Sequence, residues 1–231
     1  MRLEVIGERW EILLVALVLG GVHLVSPWIF EQRTDPVRGK AFSGGLSIGY
    51  VFLHLIPSLD ASHEIVGSRI YFVALLGFVV FYGMDVLFQP PRDKHPSKYH
   101  AYLVAFFLYD GLLVFTLGLV LPPTPLLTLA FAIALALDVL STDLELEERY
   151  GRRFVRSGRW ILLGGVATGY VLSLFRRPHP VYVDLLTAAL AGFMMFHIFS
   201  GELPVRTKKF GAFCAGLAAF SLLHAVMGPV E

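Results

Sequence analysis

With 231 residues, 56% of them hydrophobic and only 16% charged, this chain has too little polar surface to clothe a water-soluble fold, and a mean hydropathy of +0.68 makes lipid its main solvent. A net charge of +1 gives no basic excess that would point to nucleic acid. The single cysteine, Cys214, excludes an intramolecular disulfide and says nothing about redox compartment.

Eight apolar runs follow one another: Trp10–Phe30, Ala41–Leu59, Arg69–Phe88, His100–Leu121, Thr124–Asp143, Arg159–Phe175, Tyr182–Ser200 and Phe210–Gly228. Most approach the roughly 20 residues a helix needs to cross the hydrocarbon core, and backbone polarity in lipid must be satisfied within each run. The expectation is an all-α, polytopic transmembrane bundle of eight helices, a single domain over residues 1–231. The first run lacks a small-residue cleavage site and reads as a retained helix. Of the 19 basic residues, five flank the even-numbered loops and the termini (Arg2, Arg9, Arg69, Arg176 and Arg177). The others crowd the odd-numbered loops, which places those loops in the cytoplasm and both termini outside, with the cell membrane as the location.

The second run, AFSGGLSIGYVFLHLIPSLDASHE with its flank, is rich in small residues at the spacing that lets a neighbouring helix approach closely. It carries His54 near its end, and His63 and Glu64 just beyond. Asp110 lies mid-helix in the fourth run with only apolar residues on its own face, so it finds a partner on another helix or stays neutral. It is either an ion or proton site or a hydrogen-bonded carboxyl between helices. The Pro122–Pro123 pair separates the fourth and fifth runs, and the short LPPTP link predicts antiparallel neighbours.

The fifth run ends ALDVLSTDLELEE. At 100° per residue, Ser141, Thr142 and Glu145 fall within about 60° of Asp138's direction, while Asp143 points roughly 140° away. Such oxygen donors suit hard or borderline cations or proton exchange. The alternative for Asp143 and Glu145 is a solvated position beyond the membrane. The acidic-then-basic stretch LELEERYGRRFVRSG reads as a helical extension of the fifth run, with arginines near anionic headgroups. In the seventh run, AALAGFMMFHIFSGELP echoes the second: a histidine, His197, then Glu202 and a proline, which reads either as an internal repeat or as chance likeness between apolar helices. The eight histidines are scattered without an HxxxH or HExxH pair. His95, His100 and His179 fall in or beside loops, and His54, His63, His197 and His224 are candidates for a pathway or for structural hydrogen bonds.

GLSIGYVFLHLIPSL resembles the second helix of the ZIP (Zrt/Irt-like) metal transporters, ALLGFVVFYGMDVLF their third, and AGFMMFHIFSGELP their seventh. The resemblance implies a divalent cation transporter with zinc, iron or manganese as substrate, helices 1, 4, 5 and 6 carrying the ion, and helices 2, 3, 7 and 8 forming a wall that often pairs into a homodimer. The family's metal motifs, HNxxDG and HExxHE, fall here on Phe106, Phe107, Asp110 and Gly111, and on Asp138, Val139, Thr142 and Asp143. Most of the histidines and glutamates are replaced. The resemblance therefore implies a site rebuilt on Asp110, Asp138, Thr142 and Asp143, with His54, His63, Glu64, His197 and Glu202 along the pathway. A non-transporting scaffold that has lost the binuclear site is the alternative. No enzyme is expected; the enzymatic alternative, an intramembrane metal-dependent hydrolase, needs paired histidines that the sequence lacks.

Overall fold

The computed structural model describes residues 2–31, 36–57, 59–60, 67–88, 96–117, 125–175, 179–202 and 207–227. The chain is all-helical there. Helix α1 is Arg2–Glu31, and α2 is Pro36–Tyr50, which runs into a π-helical turn, Val51–Leu55. Then come α3 (Arg69–Phe88), α4 (Pro96–Leu117) and α5 (Pro125–Tyr150). A second π turn, Phe154–Gly158, leads into α6 (Arg159–Phe175); α7 (Pro180–His197) runs into a third, Ile198–Glu202, and α8 is Thr207–Met227. Four helices begin at a proline, whose fixed φ and missing N–H suit the first helical position. The proline punctuation legible in the sequence thus sets where these helices start.

The acidic half of LELEERYGRRFVRSG extends α5, as expected, but the basic half does not. Gly151 turns the chain at φ 57°, a left-handed conformation that glycine adopts without steric cost, and its N–H caps the Glu147 carbonyl at 2.7 Å. The arginines then belong to the approach to α6, anchored by the buried Phe154 and Gly158.

Among the described residues, four segments are long and apolar enough to cross a membrane: Trp10–Ile29, Tyr99–Thr116, Phe154–Phe175 and Val181–Ser200; Arg69–Met84 and Phe210–Ala225 are apolar but shorter. The exterior is rich in large apolar side chains. On α3, Phe72, Leu75, Leu76 and Val79 are all exposed, a surface that lipid can cover and water cannot.

The helices pair as α1 with α5, α2 with α8, α3 with α7 and α4 with α6. The short link predicts that α4 and α5 are antiparallel neighbours, yet among the described residues they do not pack along their lengths. Close backbone approach at glycine outweighs the short link. A Cβ on Gly45 would strike the Phe213 carbonyl, and one on Gly216 the Phe42 carbonyl; on Gly77 it would strike Ala189, and on Gly192 Ala74. Gly165 and Gly169 meet Phe107 and Gly111 in the same way. Phe107 to Gly111 and Gly165 to Gly169 advance together, so α4 and α6 run parallel. Gly77 with Ala189, and Phe81 with Phe193, say the same of α3 and α7. Parallel pairs of like parity are what a chain that reverses direction at every loop must form.

The echo between the second and seventh runs has a structural counterpart. Gly45 precedes the π turn at Val51 by the same six positions as Gly192 precedes that at Ile198. Exchanging α1 with α6, α2 with α7, α3 with α8 and α4 with α5 maps each of the four main pairings onto another. The pairing pattern is thus symmetric under this exchange.

Candidate functional site

Helices α1, α4 and α5 bring their ionisable side chains to one place in the bundle. Asp143, on α5, is fully buried, and both its oxygens lie 3.0 Å from Nδ1 of His23 on α1. The hydroxyl of Ser26 donates to the same carboxylate at 2.8 Å. The other ring nitrogen, Nε2 of His23, faces Oδ2 of Asp110 on α4 at 3.5 Å. Those two atoms are buried without a hydrogen bond, so this is the open contact of the cluster. A neutral imidazole has one N–H. For both nitrogens to bond to carboxylates, a further proton must lie on the ring or on a carboxyl.

The local sequence of α1 shapes this arrangement. Pro27 lies inside the helix and has no N–H to give to the residue four positions back, which is His23. The Ser26 hydroxyl stands 3.4 Å from that His23 carbonyl and turns its stronger bond toward Asp143. The helical hydrogen bond is thus missing at the carbonyl of the residue whose side chain meets both carboxylates.

Asp138 lies one helical face away on α5 and makes different partners. It accepts from the Tyr109 hydroxyl at 2.7 Å and from the Ser47 hydroxyl at 3.3 Å. Ser43 donates to the Leu137 carbonyl at 3.0 Å. The small stripe of α2 is therefore divided: Gly45 and Gly49 face α8, and Ser43 and Ser47 face α5. Thr142 is hydrogen-bonded to His197 Nε2 at 2.9 Å, and that ring stacks on Phe193 with its edge to Phe106. Removing the Tyr109 hydroxyl takes from Asp138 its shorter hydrogen bond in a buried setting. Tyr109→Phe should destabilise the protein by about 1–3 kcal/mol, read as a lower thermal midpoint in detergent with unchanged elution volume.

Of the residues singled out from sequence, Asp110 and Asp143 are brought together through His23, while Asp138 and Thr142 flank them in separate hydrogen-bonded pairs. The solvated alternative for Asp143 fails, because the side chain has no exposure. His54 stacks on Tyr50, Tyr50 meets Phe220 edge-on, and Phe220 stacks on His224. These two histidines belong to the α2–α8 seam, and His197 to another neighbourhood, so the three do not form the convergent set that a hydrolase would need. His63 and Glu64 lie outside the described residues, as does the side chain of Glu202. Sequence reasoning does not single out His23. Its signal is a histidine in mid-run, in LGGVHLVSPW, four positions before a proline in the first apolar helix.

Among the described residues, the buried charged side chains are four carboxylates, Asp110, Asp138, Asp143 and Glu147, with the histidines His23 and His197 and no lysine or arginine. No three His, Cys, Asp or Glu side chains among them stand in a geometry ready to hold a metal ion. No family model matches the chain, and no curated protein matches it in sequence.

Proposed function

We propose that this protein is a ZIP-like carrier of a divalent cation in the cell membrane, crossing it eight times with both termini outside. The single observation that carries this reading is the buried acid excess: carboxylates on α4 and α5 converge on one histidine of α1, with no buried lysine or arginine among the described residues to neutralise them. Negative charge in a low-dielectric interior is costly unless protons or a cation balance it. A site that holds its carboxylates in reserve for a passing cation has this composition. Oxygen donors with one imidazole suit zinc, iron or manganese as substrate. The parity of the helix pairs supports eight crossings. The acid cluster comes from α1, α4 and α5, three of the four helices that the resemblance implies for the ion, and among the described residues α2, α3, α7 and α8 add no side chain to the His23 contacts.

A non-transporting scaffold is the second reading, favoured by the lack of a ready three-ligand geometry among the described residues. Metal bound to the purified protein would count against it. Uptake of zinc, iron and manganese into proteoliposomes separates the two. Wild type should take up at least one of them well above protein-free vesicles, and Asp110→Ala should lose tenfold or more of that flux. Background flux for the wild type, or equal flux for both proteins, would remove the transport claim. A homodimer through the glycine-locked wall is part of the proposal and is read from the mass of the detergent-solubilised particle.

A further inference from the structure

A cavity of about 650 Å³, its open mouth included, lies between α3, α4, α5 and α7. It opens at the ends of α3, α5 and α7 and the start of α4, the side that charge bias assigns to the cytoplasm. Its walls are aromatic: Phe81, Tyr102, Phe106, Phe193 and Phe196. The hydrogen-bonded pair of Thr142 and His197 also lines it. At the rim stand Glu145 and Arg149, one turn apart on α5 and joined as an ion pair. The Arg149 guanidinium carbon also sits 5.9 Å from the centre of the Tyr102 ring.

Aromatic walls with one carboxylate at the opening are the chemistry that recognises an organic cation, through the negative faces of the rings and the charge of the acid. The chain's own guanidinium already rests on both elements. It does so at the edge of the cavity, its side chain 31% exposed, with Glu145 one turn away as its i,i+4 partner. We propose that this cavity is a binding site for an organic cation, an alkylammonium or guanidinium head on an apolar or aromatic body, and that Arg149 is its built-in competitor. The body fills the aromatic walls, the head takes the place of Arg149 beside Glu145, and Arg149 swings out to solvent. Neither Asp110 nor Asp143 lines the cavity, while Thr142 and His197, which the resemblance implies for the metal site and its pathway, stand in its wall, so organic-cation binding is read apart from metal flux.

Benzyltrimethylammonium is a suitable probe, with its uncharged isostere neopentylbenzene as control. Saturable binding to the purified full-length protein is measured by equilibrium dialysis against protein-free micelles. The wild type should bind the cation and not the isostere. Arg149→Ala should bind it at least tenfold more tightly, because the internal competitor is gone. Adding Glu145→Gln to Arg149→Ala should return at least that factor. Arg149→Gln serves as the second plug-free variant should the alanine protein fail to elute as a single species. Absence of saturable binding to both the wild type and a plug-free variant that keeps its thermal midpoint overturns the site. Equal affinity for the isostere overturns the cation specificity, and an unchanged affinity on removing Arg149 overturns its role as competitor.

Discussion

Replacing His23 by leucine should destabilise this protein by about 3–5 kcal/mol, a large part of the stability of any domain. The ring is buried between Asp110 and Asp143, and leucine leaves both carboxyls without their common partner. Burying an uncompensated charge is far costlier than never having placed the pair there. His23→Leu combined with Asp143→Leu should therefore recover more than half of the loss, since an apolar pair of similar volume needs no proton and no counter-ion. The cycle formed by the two single variants and the double variant reads the coupling directly. Thermal or detergent unfolding of the purified proteins measures it. A His23→Leu protein as stable as the wild type would mean that the carboxyls are satisfied elsewhere, and the acid cluster would lose its centre.

The second large effect is expected at Gly192, where α7 meets α3. A Cβ there would overlap the Ala74 carbonyl and crowd the Phe78 nitrogen, both backbone atoms that cannot turn aside. Gly192→Leu should cost about 3 kcal/mol or more, the upper end of what overpacking does, because two helix axes must separate. Gly216→Leu should behave alike at α8 against α2, where the Phe42 carbonyl is the obstacle. Gly83→Leu on α3 serves as the control of equal bulk, since a Cβ at that position would meet nothing within 4 Å. Elution volume and thermal midpoint should be lost or lowered for the first two and kept by the third. Equal tolerance of all three would show that the α3–α7 and α2–α8 contacts are looser than the backbone positions indicate.

Local signals and long-range contacts carry different parts of this structure. Hydrophobic runs of span length, and prolines at their boundaries, are enough to read an all-α bundle and to place most helix starts, because both signals are local. The stripe arithmetic on α5 is also sound. Asp138 and Asp143 point roughly 140° apart on a helical wheel, and they do take partners on different helices, Tyr109 and Ser47 for one, His23 and Ser26 for the other. The resemblance to ZIP transporters draws attention to Asp110, Asp138, Thr142 and Asp143, which are all buried.

Helix pairing is not legible in this way. The LPPTP link suggests that α4 and α5 lie side by side, but a link only bounds the distance between two ends. Which faces meet depends on where glycines from distant segments coincide, and Gly111 finds Gly165 and Gly169 on a helix far along the chain. His23 is invisible for the same reason. A lone histidine in an apolar run has no local partner to announce it, and its meaning comes only from Asp110 and Asp143, which lie on other helices.

By itself, then, the sequence determined the solvent, the helices and their boundaries, since composition and proline act within a few residues. Tertiary structure alone decided that His23 is the side chain by which α1 enters the acid site, that α2 turns Gly45 and Gly49 to α8 and Ser43 and Ser47 to α5, and that a histidine holds two carboxylates together. Those outcomes depend on the meeting of residues far apart in the chain, where close backbone approach and the need to balance buried charge choose the partners.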